Sequence, residues 1–366
     1  MNFVMQKPIK LFDQIDKYNG IHNILGIGDP HVVKIQNQWW MFVGGFQTNF
    51  KNNIFTATLP VGEPLSSNNW SITTYEDKEN KAKPLCENSK KGSWDYYGFH
   101  TPCYVSGTGQ NGTVVERVYY TGRASNKVVD NQAPYSIGMI EKTVDGWNRY
   151  HSPILRGTKD SPNVLEPKIR YIEGKWRAWY VTTKQETGKN GYPNYTMMYA
   201  ESDDGINNWS NPIPLFLGNE NFYDASIHKS NTYGYEMAVC RSTNLYGRSP
   251  FPMQGMWLLT GHKPNGDRAN WSKNPLLILD AKEGEDWYKN GIGSPCGHYG
   301  ESADDQNTLY MFFTGLHCER NWLQHAKNSI KKKKLPPFPS PFYFAIGKVE
   351  LTKISEGKTK GGDYFL

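Results

Sequence analysis

The chain has 366 residues, 37% of them hydrophobic, 14% aromatic and 21% charged, with a formal net charge of +6. This balance excludes a disordered chain and leaves ample material for a core. The charge is too modest to point to nucleic acid, and no apolar run approaches the ~18 residues of a membrane span, so neither nucleic acid binding nor stable membrane insertion is expected.

The opening stretch, MNFVMQKPIKLFD, lacks the apolar segment of a secretion signal. Cys86, Cys103, Cys240, Cys296 and Cys318 are dispersed, with no CxxC pair. Reduced thiols and a cytoplasmic location are the expectation, with no metal and no cofactor.

The first predicted hairpin is GDPHVVKIQNQWWMFVGG from Gly28. An Asp-Pro opens it, a polar turn divides it, and small residues end it. Related hairpins begin at His100 (HTPCYVSGTGQNGTVVERVYYTGR), Leu165 (LEPKIRYIEGKWRAWYVTT), Tyr223 (YDASIHKSNTYGYEMAVCRS) and Gly293 (GSPCGHYGESADDQNTLYMFFTG). Their openers are Asp29, Thr101, Glu166, Asp224 and Ser294, followed by Pro in every case but Ala225. A third strand follows each hairpin, over Ile54–Leu59, Tyr135–Lys142, Tyr195–Ser202, Met256–His262 and Phe342–Leu351. Trp70, Trp147, Trp209 and Trp271 each fall late in a unit. Five such units predict an all-β fold, a single five-bladed β-propeller over residues 1–366 with a central funnel-shaped site.

The first strand of a propeller blade lines the axis, and residues i and i+2 of a strand share a side. The openers then form an upper ring, above a second ring of His31, Cys103, Lys168, Ser226 and Cys296. Pro suits the first residue of each strand because it has no N–H to donate. Three carboxylates converge in this arrangement, and crowding like charges raises at least one pKa. A neutral acid beside a charged carboxylate is the equipment of general acid–base chemistry.

GDPHVVKIQNQWWMFVGG, EPKIRYIEGKWRAWYV and YAESDDGINNWS resemble the Asp-Pro hairpin, the later acidic hairpin and the outer strands of the five-bladed propeller glycosidases. Those are the arabinanase and β-xylosidase families, the invertase and levansucrase families, and the β-mannoside phosphorylases. The resemblance implies an enzyme that cleaves or transfers a glycosidic bond, with an oligosaccharide or glycoside as substrate. It implies Asp29 as nucleophile or base, Glu166 as general acid and Asp224 as the carboxylate that tunes the acid. The chain departs from the invertase pattern at Thr101, where those enzymes carry Asp. It departs from the arabinanase pattern at Glu166 and Asp224, where those enzymes carry Asp and then Glu. The two roles are therefore exchanged, or the chain is a divergent branch. A sugar-transferring enzyme of polysaccharide synthesis on the same scaffold is an alternative, and a sugar-binding propeller without catalysis is the reading from a different class.

Further substrate-binding candidates surround this ring. His31 and His100 neighbour the openers, Thr101 and Ser294 are openers themselves, and Lys168 lies in the second ring. Gln47, Arg123, Lys184, Arg241, His317 and Arg320 fall in the loops between second and third strands. As a cationic set they suit an anionic sugar, or phosphate as the attacking group in phosphorolysis. Trp94 and Trp287 precede openers and are the candidate sugar platforms. Cys103 and Cys296 read as small packing residues, and Lys331–Lys334 as a solvated loop.

Overall fold

In the computed structural model, residues 3–13, 21–126, 129–183, 195–217, 220–241, 253–317, 331 and 343–354 are described. Their regular structure is almost entirely β, with a short 3-10 turn at Arg268–Asn270. No helix among them is long and apolar enough to cross a membrane.

Five antiparallel sheets, one per repeat, hold most strands, and Thr74–Tyr75 pairs with Lys78–Ala82 in a separate two-stranded sheet. Blade 1 runs Ile24–Ile35, Gln38–Gln47, Asn52–Thr58 and Ser71–Ile72. Blade 2 runs Phe99–Thr108, Val114–Gly122, Ser136–Thr143 and Gly146–Arg149. Blade 3 runs Asn163–Ile172, Lys175–Thr183, Thr196–Ser202 and Ile213–Phe216. Blade 4 runs Phe222–Ser230, Gly234–Arg241, Gly255–Gly261 and Leu276–Asp280. Blade 5 takes Ile292–Tyr299, Thr308–His317 and Tyr343–Lys353, and its outer positions come from the opposite end of the chain. Phe3–Met5 and Ile9–Asp13 both pair with Tyr343–Lys353. The N-terminal segment thus closes the ring. Lys348, fully buried, donates from Nζ to the carbonyls of Leu65 and Ser66 at 2.8 Å, tying blade 5 to blade 1.

Alternation along each strand sends one set of side chains to each neighbouring blade. The core is accordingly split among the blade interfaces. Phe42 and Tyr120 share the cluster between blades 1 and 2, and Tyr119 and Trp176 that between blades 2 and 3. Trp179 and Met237 join blades 3 and 4, Leu258 and Met311 join blades 4 and 5, and Phe312 and Met41 join blades 5 and 1. The hairpin turns carry the residues such turns demand. Glu173 and Gly174, both at positive φ, make the two-residue loop that suits the right-handed twist of its strands. The late tryptophans serve packing: Trp70 meets Phe312 edge-on at 5.8 Å, and Trp271 covers Gly261.

The openers differ from expectation in one respect. Each Pro sits inside a strand, not at its start. Pairing skips the opener and the following Pro in blades 1, 2, 3 and 5. Asp29, Thr101, Glu166 and Ser294 all adopt φ between 49° and 56°. Such a bulge accommodates a residue that cannot donate to the ladder, and it re-aims the side chain before it. Blade 4 has Ala225, whose backbone pairs with Val239, and Asp224 has no positive φ. Left-handed φ costs a non-glycine residue about 1–3 kcal/mol, so four openers hold a strained backbone at the axis.

Candidate active site

The bulges bring the openers into one laterally bonded ring. Asp29 Oδ1 accepts from the Ser294 hydroxyl at 2.7 Å, and its Oδ2 from the Thr101 amide at 3.3 Å. Asp224 Oδ2 accepts from the Ser294 amide at 2.9 Å. The Asp29 and Glu166 amides donate to Thr314 Oγ1 and Thr121 Oγ1, at 2.7 and 3.0 Å. Every one of these bonds crosses from one blade to the next.

A positional rule emerges. Thr121 and Thr314 occupy the same place in their blades, at the end of the second strand, and each satisfies the opener of the following blade. In blade 1 that place is Gly44. A Cβ there would stand 3.1 Å from Asp29 Oδ2, so the glycine leaves room for the carboxylate itself to reach Thr101.

Glu166 and Asp224 are buried, whereas Asp29 keeps part of its surface open. Glu166 Oε1 accepts from the Tyr223 hydroxyl at 2.7 Å. The buried oxygens Glu166 Oε2 and Asp224 Oδ1 have no hydrogen-bond partner. Burial, with the charges of Asp224 and Asp29, holds Glu166 well above the usual carboxyl range. Burial also raises Asp29; Asp224 adds to this, and the Ser294 hydroxyl, Lys168 and the Thr101 amide oppose it.

Lys168 supplies the counter-charge. Its ammonium is buried 4.0 Å from Asp224 Oδ1. Burial disfavours that charge, but Asp224 and Glu166 outweigh it, and the lysine titrates above its ordinary value. His31 accompanies it in the second ring, with Nε2 3.0 Å from the Tyr104 carbonyl. Burial, Arg170 and Lys168 keep His31 neutral. Cys103 bonds Ile169 of the next blade through both N–H and carbonyl, and Cys296 accepts from the Val32 amide. Their contacts are inter-blade packing contacts.

The other candidates separate into near and remote. His100 lies against Gly44, beside Asp29, and meets Tyr135 edge-on at 5.7 Å; burial and Arg123 lower its pKa to about 3. Arg123 donates to Asn52 Oδ1 at 2.6 Å. Gln47 is buried at the end of its strand. Arg241 lies over Trp257 at 4.6 Å. Trp94 stacks on Tyr120, covers Gly122 and donates from Nε1 to the His151 carbonyl at 3.0 Å. Trp287 is buried against Phe313 and Gly347, a core position that does not offer a sugar platform. The backbone of His317 pairs with Tyr343; its side chain, together with Lys184, Arg320 and Lys332–Lys334, lies outside the described residues.

Four participants escaped the reading of the sequence: Tyr223, Thr121, Thr314 and Arg170, whose Nη1 is 3.4 Å from His31 Nε2. A signal existed for the threonines in the repeated endings YYTG and FFTG. None existed for Tyr223, which reaches across blades.

No protein-family model matches the chain, and no curated protein matches it. Solved structures do. A thermostable family-43 glycoside hydrolase superposes with a TM-score of 0.53 at 15% identity, covering 94% of this chain and 96% of that one. The α-L-arabinofuranosidase from Podospora anserina, in complex with cellotriose, gives 0.53 at 12% identity over 95% and 98%. A family 117 glycoside hydrolase of the marine bacterium Zobellia galactanivorans gives 0.56 at 11% identity over 95% and 90%. What this chain shares with them, over nearly the whole of both lengths, is the five-bladed propeller fold.

Proposed function

We propose that the protein cleaves or transfers a glycosidic bond, with hydrolysis as the leading reaction. The observation that carries the reading is the buried Glu166 and Asp224, each with an unpartnered oxygen, beside the partly open Asp29. Glycosyl transfer needs a proton for the departing oxygen and a carboxylate on the other face of the sugar. Glu166, kept protonated, gives its proton to that oxygen as the C1–O bond breaks. Asp29 then either takes a proton from the water that bonds to C1, or bonds C1 itself before water displaces it. Asp224 and Tyr223 set the acidity of Glu166, and Lys168 offsets the charge left behind. The fold shared with glycoside hydrolases supports the same reading.

The test is turnover of a panel of aryl glycosides and oligosaccharides by the wild type, Asp29→Asn and Glu166→Gln. Loss of the general acid is expected to cost about 10²–10⁴-fold. Full activity in Asp29→Asn overturns the assignment, and an oligosaccharide bound but uncleaved across the panel favours a binding protein. Cleavage assayed with and without inorganic phosphate separates hydrolysis from phosphorolysis, which requires phosphate.

A further inference from the structure

We propose that the junction of blades 1 and 2, on the face where the openers lie, is a subsite for a carboxylate-bearing sugar, received by Arg123. This rests on the glycoside reading above and names the class of substrate for it.

Arg123 is only half-buried, and it is fixed on one side. Its backbone N–H bonds Gly98 at 3.2 Å, its carbonyl accepts from Tyr97 at 3.0 Å, and Nη2 donates to Asn52 Oδ1 at 2.6 Å. No carboxylate among the described residues pairs with it, and its Nε, a buried atom, has no hydrogen-bond partner, which leaves the outer end of the guanidinium for a ligand. A guanidinium held from one edge presents parallel N–H groups that match a carboxylate better than any neutral sugar hydroxyl. The surroundings suit a sugar ring. Tyr96 and Tyr97 meet edge-on at 5.3 Å, and the Lys51 ammonium stands 3.5 Å over Tyr96, adding a second cation.

The place relative to the carboxylates follows from the backbone. Gly98 bridges to Asn52, and two residues later His100 lies against Gly44, which borders Asp29 Oδ2. The central ring repels an anion, since Lys168 offsets only part of its carboxylate charge. An acidic group is accommodated where a cation without a carboxylate partner stands outside that ring, and Arg123 is such a cation. His100, neutral between them, can bond sugar hydroxyls without adding charge.

The experiment is calorimetric titration of the full-length protein with matched probes: trigalacturonate against its methyl ester, and methyl glucuronide against methyl glucoside. The acidic member of at least one pair is expected to bind about tenfold tighter or more. Raising the salt should shrink the difference. Arg123→Gln should reduce it to under about twofold, and Arg123→Lys, which keeps the charge but not the fork, should retain part of it. Equal or absent binding in every pair overturns the proposal, as does a preference that survives Arg123→Gln. Should Arg123→Gln fail to fold, Arg123→Lys decides: an undiminished preference counts against the fork. Binding needs no turnover, so the two readings fail separately. Acid preference in a protein that cleaves nothing sinks the glycosidase; cleavage of neutral glycosides without acid preference sinks the subsite.

Discussion

Replacing Lys168 by Met removes the buried ammonium that, among the described residues, pairs with Asp224, while keeping most of the side-chain volume. Its Nζ lies 4.0 Å from Asp224 Oδ1, and both side chains are buried. At that separation an effective dielectric of about 20 gives an attraction of about 4 kcal/mol. Breaking one half of a buried pair costs about 3–5 kcal/mol, because the remaining charge is left uncompensated. A loss of about 3–4 kcal/mol is therefore expected near neutral pH, and it carries a pH signature. Asp29 and Glu166 titrate above their ordinary values when folded, Lys168 opposing the rise in both. Groups raised in this way contribute stability at low pH that is lost as pH rises through their folded values. Without Lys168 both rise further, so the deficit is largest at about pH 8 and shrinks toward about pH 4. In the wild type the lysine's own raised pKa keeps its contribution intact up to alkaline pH. Urea unfolding of both proteins at the two pH values, followed by circular dichroism and tryptophan fluorescence, reads the difference. A loss below about 1 kcal/mol at about pH 8, or an equal loss at both, refutes the counter-charge argument.

Two further substitutions probe the site's supports. Tyr223→Phe removes the donor to Glu166 Oε1 at 2.7 Å. The carboxylate form loses a hydrogen bond, Glu166 titrates still higher, and the alkaline limb of the kcat/KM profile should move to higher pH; a downward shift contradicts the role given to Tyr223. Cys103→Ser should preserve the contacts to the Ile169 amide and carbonyl, whereas Cys103→Ala orphans a buried N–H at a cost of about 1–3 kcal/mol. Equal stability of the two variants in thermal unfolding rules out that bond as a contributor.

The repeat itself was legible in the sequence. A hairpin with an acidic or small opener is a local pattern that recurs five times, with a Pro after the opener in four units and a Trp late in four. Third strands predicted at Ile54–Leu59 and Tyr195–Ser202 correspond to Asn52–Thr58 and Thr196–Ser202. Closure was not legible. Pairing of Phe3–Met5 with Tyr343–Lys353 joins residues separated by nearly the whole chain, and periodicity carries no information about such partners.

The site divides along the same line. That Asp29, Glu166 and Asp224 occupy equivalent places is a property of the sequence, because equivalence in a repeat places residues at equivalent positions around an axis. What those carboxyls do to one another was decided by tertiary structure. The hydroxyl of Tyr223 on Glu166 and the ammonium of Lys168 beside Asp224 are contacts between blades, and the positive φ at four openers and the space at Gly44 are set by strand pairing within them. Tertiary packing likewise turned Trp287 inward, because a large flat ring fills the space above Gly347 better than it serves an open face. The sequence alone determined which residues open the five repeats; only the packing of blade on blade determined what each of their side chains touches.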